Sequence, residues 1–196
     1  LYRYESFPFA AATQTWDLVQ TTWQQERGTH RNLPVFTVAS LPDNTVGTPA
    51  ILDYMAANTN PASATLLFSQ HDYPAAPRLT VVNSAQPDNG ILSASHLGLM
   101  TPPGHPYYGL NGEYRNCEHY GSAADDSFSR CKAGARNYYG EPTEENLASG
   151  LIERIAFNPQ YPLLLDHLDA FLARLGLLES PSGRAPGITD DSIRAQ

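Results

Sequence analysis

Residues 35–55, VFTVASLPDNTVGTPAILDYM, decide how this chain is read. The run 33–40 (LPVFTVAS) is continuously apolar and β-branched, the pattern of a strand covered on both faces, as in a parallel sheet. It stops at Leu41-Pro42-Asp43-Asn44. Thr48-Pro49 then supplies an N-cap followed by proline at the first helical position. Ile51, Leu52, Tyr54 and Met55 form one apolar stripe, which Asn58 and Pro61 close. A strand, a turn and a helix therefore meet around Asp43. Its carboxylate is either the residue such a turn needs or a group held beyond the carboxyl end of a buried strand, where open α/β sheets bind ligands.

Outward from this junction the same grammar continues. Residues 9–27 read as a helix, with Phe9, Ala12, Trp16, Val19 and Trp23 at helical spacing and Gly28 as its stop. SATLLFSQ (63–70) and RLTVVNS (78–84) read as two further short strands, and PDNG (87–90) as a turn before ILSASHLGL. Strands alternating with helices place the chain in the α/β class, with mostly parallel strands and flanking helices. Residues 101–146 hold Pro, Gly, Tyr and Asn with little periodicity and read as a long loop or insertion. Asn158 and Pro159 open a last helix whose Tyr161, Leu164, Leu165, Leu168, Phe171, Leu172 and Leu175 form a broad stripe, and Gly176 ends it. Residues 179–196 read as a mobile tail.

A chain of 196 residues fits one domain better than two. The net charge of −8 and a single lysine, Lys132, argue against nucleic acid and anionic membrane surfaces as partners. No apolar run approaches the roughly 20 residues that span a bilayer. The chain opens at Leu1 on LYRYESFPFAAA, neither a signal peptide nor a natural start, so further residues are expected to precede it.

Cys117 and Cys131 lie in YRNCEHYGSAADDSFSRCKAG. They read either as a disulfide pinching a surface loop or as two unrelated reduced thiols. Their spacing matches no zinc pattern, and His119 would still leave a ligand missing. A disulfide would favour an exported or periplasmic protein, and reduced thiols a cytoplasmic one.

Pro-Asp-Asn occurs twice, at 42–44 and 87–89. Asp88 precedes Gly90 between two strand-like runs and needs no role beyond the turn. Among the histidines, His30 lies in a polar linker, His105 in PPGHPYY, His119 in the cysteine loop and His167 beside the last apolar stripe. His71 follows a strand end in SQHDYP, where a local pairing with Asp72 is expected. His96, in SASHLGLM, follows a short strand, and its small neighbours let a ring project into a cleft. Taken singly, Asp43 can be a turn residue and His96 a packed one. Together, in the order acid then histidine and followed by a long amphipathic helix, they satisfy the last two parts of a nucleophile–acid–histidine triad.

PVFTVASLPDNTV resembles the acid-bearing strand and loop of α/β-hydrolases, and SASHLGLM their histidine loop. YESFPFAAATQTWDLV is similar to the segment leading out of the cap in the serine aminopeptidase and monoacylglycerol-lipase-like branch, while RNCEHYG and FNPQYPLLLDHLDAFL fit its esterase-like members. The likeness runs from about Tyr4 to Leu175. It implies that residues 1–178 are the C-terminal portion of an α/β-hydrolase domain, with 1–30 a cap-exit helix. It also implies a serine carboxylesterase or lipase-like activity on a small acyl ester, with catalytic Asp43 and His96 and no metal or organic cofactor. No G-x-S-x-G occurs in the chain, so the nucleophile is expected upstream of Leu1 and the chain alone is expected to be inactive. An N-terminal fragment of the same protein, or a second copy, is the expected partner. The rival readings are a non-catalytic interaction module that keeps a hydrolase-like half-fold, and a thioesterase or peptidase on the same scaffold.

Overall fold

The strand read first, β1 (Phe36–Ser40), pairs in parallel with β2 (Ala64–Ser69), which pairs in parallel with β3 (Leu79–Asn83). This is a computed structural model, and it describes residues 9–26, 32–121 and 125–178. Residues 1–8, the proposed stop at Gly28 and the segment 179–196 lie outside the described residues. The register sets Val38 beside Leu66 and Leu66 beside Thr80. Side chains alternate across a strand, so Phe36, Val38, Leu66, Phe68 and Val82 share one face. Helix α5 (Tyr161–Arg174) covers that face, with Leu164 joining Leu66, Phe68, Ala94 and Leu99 in the core. Phe36 and Phe171 stack with ring centroids 5.5 Å apart. Helix α2 (Thr48–Ala57) packs against β1.

The burial expected of β1 falls instead on β2. Leu66, Leu67 and Phe68 are wholly buried, because β2 is flanked by strands on both sides. Among the described residues β1 is an edge strand, and its Phe36, Thr37 and Val38 are only half-buried. The helix starts also differ from expectation. Gly47, not Thr48, is the N-cap residue of α2, since the Thr48 hydroxyl donates to the Ser40 carbonyl (2.7 Å). Asn158 does not cap α5 directly. It forms a separate turn in which its Oδ1 accepts the Gln160 amide (2.9 Å), and the helix begins three residues later with Pro162 in its first turn. Leu165 lies outside the buried stripe and is exposed.

Beyond β3, the turn at 87–90 is a single 3-10 turn closed by Gly90, whose φ of 69° suits glycine. The strand expected before His96 does not form. Only Ile91 bridges to neighbours, Gln86 and Tyr139; residues 92–95 run as irregular chain, and His96 opens the turn that follows. Residues 101–146 contain helix α3 (Ser127–Lys132), strand β4 (Tyr138–Gly140) and the start of helix α4 (Glu144–Ala148). β4 pairs in parallel with β5 (Ile152–Arg154). Elements this short carry no readable period.

Cys117 and Cys131 form a disulfide, buried with Leu151 and flanked by Tyr120 and Phe128. Closing a loop of this size stabilises by about 3 kcal/mol in the chain-entropy model. Replacing both cysteines by serine should lower the unfolding free energy in urea by about that amount. An unchanged urea midpoint would show that packing alone holds the loop.

Helix α1 (Phe9–Glu26) forms as its spacing predicts, but Phe9, Trp16, Val19 and Trp23 stand exposed. Among the described residues no helix is long and apolar enough to cross a membrane.

Candidate active site

The acid turn grows directly out of β1. The Leu41 amide continues the ladder to the Phe68 carbonyl (2.8 Å), after which Pro42 turns the chain away. Asp43 Oδ1 then accepts the backbone amides of Thr45 (2.7 Å) and Val46 (3.0 Å), the bonds of an Asx-type turn. The same oxygen lies 2.9 Å from His96 Nδ1. Turn residue and histidine partner are thus one carboxylate. Its side chain is 2% exposed and the His96 ring 26%.

A carboxylate only accepts hydrogen bonds, so Nδ1 donates and carries the ring proton. That leaves the lone pair on Nε2, the tautomer a general base needs. His96 lines an open cavity of about 370 Å³ together with Asp43. The walls are mainly apolar, from Phe36, Val38, Val46, Ile51, Met100 and Leu168. The two hydroxyls in the wall are already committed. Ser40 Oγ donates to the Ala94 carbonyl (3.0 Å), and Thr48 Oγ1 to that of Ser40. Among the described residues neither is a hydrogen-bond partner of His96.

The histidine loop is shaped by close backbone approach. A Cβ at Gly98 would lie 2.6 Å from the Phe157 nitrogen, so only glycine lets this loop lie on the 156–157 backbone. Asn158 fastens it from below, its amide donating to the Thr101 carbonyl (2.8 Å) and its side chain to that of Leu99 (3.1 Å). Glycine at this position serves packing as well as access to the ring.

A second polar group joins the two loops, and the sequence reading missed it. Glu141, directly after β4, is fully buried, and Arg154, the last residue of β5, is 17% exposed. Arg154 donates from Nε to Glu141 Oε2 (3.1 Å) and from Nη2 to Oε1 (2.5 Å). Nη2 also donates to Thr45 Oγ1 (2.8 Å), and Nε to Ser95 Oγ (3.2 Å). Glu141 Oε1 accepts the Asn44 amide (3.3 Å). The available signal was charge inside two largely apolar stretches, Glu141 in YYGEP and the adjacent Glu153 and Arg154 in LIERIAF.

The remaining candidates lie apart from the cavity. His71 pairs with Glu145 (2.9 Å), not with its neighbour Asp72, because the turn after β2 carries it toward α4. His105 Nδ1 accepts the amides of Tyr107 and Tyr108. The His119 ring lies tilted against Tyr120 with centroids 4.2 Å apart, and burial pushes it below the usual histidine range. His167 lines a separate groove with Arg78 and Arg174. Asp88 stays in its turn, and His30 lies outside the described residues. Among the described residues no cluster of metal-ligating side chains forms. No protein-family model, curated protein or solved structure matches the chain.

Proposed function

We propose that this chain is the C-terminal portion of an α/β-hydrolase, and that the whole protein hydrolyses esters of small apolar acyl groups through a Ser-Asp-His triad. The observation that carries this reading is the Asp43–His96 hydrogen bond at the rim of an apolar cavity. In the reaction, His96 Nε2 takes the proton of the attacking serine hydroxyl and the serine oxygen bonds to the ester carbonyl carbon. The tetrahedral intermediate expels the alkoxide, which collects the proton from His96 as alcohol. Water, deprotonated in turn by His96, then releases the acid. Asp43 holds the productive tautomer and stabilises the imidazolium in both steps.

The serine belongs to a segment outside this chain. Two features support a docking place for it: β1 is paired on one side only, and the apolar stripe of α1 is uncovered among the described residues. An exposed strand edge and an apolar face both favour association with further chain, either the upstream part of the same protein or a second copy. The Cys117–Cys131 disulfide favours an exported or periplasmic setting.

The test uses the protein extended by the residues that precede Leu1. A fluorophosphonate probe is expected to form one adduct, on a serine in that upstream part, and His96→Ala should suppress it. No adduct on the extended protein, together with no ester turnover, would favour an interaction module instead.

A further inference from the structure

We propose that Arg154, ion-paired with Glu141, is a positioning residue that holds the acid turn and the histidine loop in register; this rests on the triad reading above. Asp43 and His96 are 53 residues apart in the chain, and each sits on irregular backbone without a ladder of its own. Such loops keep a productive geometry only where other groups fix them. One guanidinium does so here. It bonds Thr45, whose amide bonds Asp43, and it bonds Ser95, the residue before His96. Glu141 reinforces both sides, with its carboxylate on the Asn44 amide and its own amide on Ser93 Oγ (2.9 Å).

The choice of arginine follows from the geometry. Nε and Nη2 form the flat edge that matches a carboxylate at two points, and each has a further contact on a different loop. A lysine ammonium is a point charge on a flexible stem and cannot serve a carboxylate and two hydroxyls in one plane. The pairing with Glu141 also leaves the cation compensated beside the histidine loop, so the clamp adds no net charge to the site.

The test compares variants of the extended protein on a p-nitrophenyl ester, with near-UV circular dichroism to confirm folding. Thr45→Val and Ser95→Ala each remove one arm of the clamp without burying a charge. Each should lower kcat by about tenfold with KM held, because small misplacements of a catalytic group cost up to about 100-fold. Arg154→Lys should recover only part of the activity. The double variant Arg154→Met/Glu141→Gln, which leaves no unpaired buried charge, should lose about 100-fold in kcat. The proton on His96 Nδ1, followed by NMR, should broaden in the same order.

Folded variants with wild-type kcat and a sharp Nδ1 proton would overturn the positioning role. A His96→Ala protein as active as the wild type would instead overturn the triad reading. The imidazole proton then still decides the clamp: an unchanged signal in the double variant refutes it, and a broadened one supports it.

Discussion

Asp43→Asn, in the protein extended upstream of Leu1, should lower kcat for an activated ester by about 10⁴-fold with little change in KM. The reason lies in how many bonds one oxygen carries. Asp43 Oδ1 serves the amides of Thr45 and Val46 and the imidazole of His96 together. Asparagine is as good a turn former, and its carbonyl oxygen can keep the two amide bonds. That oxygen is also the one that faces His96, so turning the amide donor toward Nδ1 gives up both turn bonds. The ring then moves its proton to Nε2, and the base loses the lone pair that must accept from serine. Stability should fall by about 1–2 kcal/mol, since the two turn bonds are given up for one new bond to the ring. The contrast in size separates the two roles of the residue: initial rates collapse while the urea midpoint shifts only modestly. A variant within tenfold of wild-type kcat would remove Asp43 from the mechanism. His96→Ala should be at least as damaging, because no other histidine lines the cavity.

The parts of this molecule that were legible in sequence are those with a period or a punctuating residue. β2, β3, α1 and α5 were placed by apolar spacing, and the turn at Asp88 by its following glycine. What failed was anything decided by a distant partner. Thr48 reads as a cap, yet its hydroxyl is drawn to the Ser40 carbonyl on the preceding strand. His71 has an acid next to it in sequence but pairs with Glu145 across the fold. β1 is as apolar as a central strand, and sequence says nothing of which neighbours it finds. The choice posed at Asp43, turn bond or histidine partner, was not an exclusive one, since one oxygen makes both contacts. Its pairing with His96 could be anticipated only from chain order and family resemblance. Spacing of 53 residues on two irregular loops contains no local signal.

Arg154 and Glu141 illustrate the limit most sharply, and they carry the second large effect. A charged residue near a strand end reads by default as a solvated position, yet here the contacts of Arg154 reach residues up to 109 positions away. Arg154→Met should destabilise the fold by about 3–5 kcal/mol, because it leaves the fully buried Glu141 carboxylate without its cation. Adding Glu141→Gln should restore much of that loss, as neutral groups of similar size carry no desolvation penalty for an unpaired charge. Urea denaturation of wild type, both single variants and the double variant forms the test. A double variant whose loss equals the two single losses added together would mean that the pair is not coupled, and the account of Glu141 as a compensated buried charge would fall. If the double variant regains stability but not kcat, folding and positioning are separated. The ion pair is then best understood as a device for aligning two loops, since buried apolar residues could have stabilised that interior equally well.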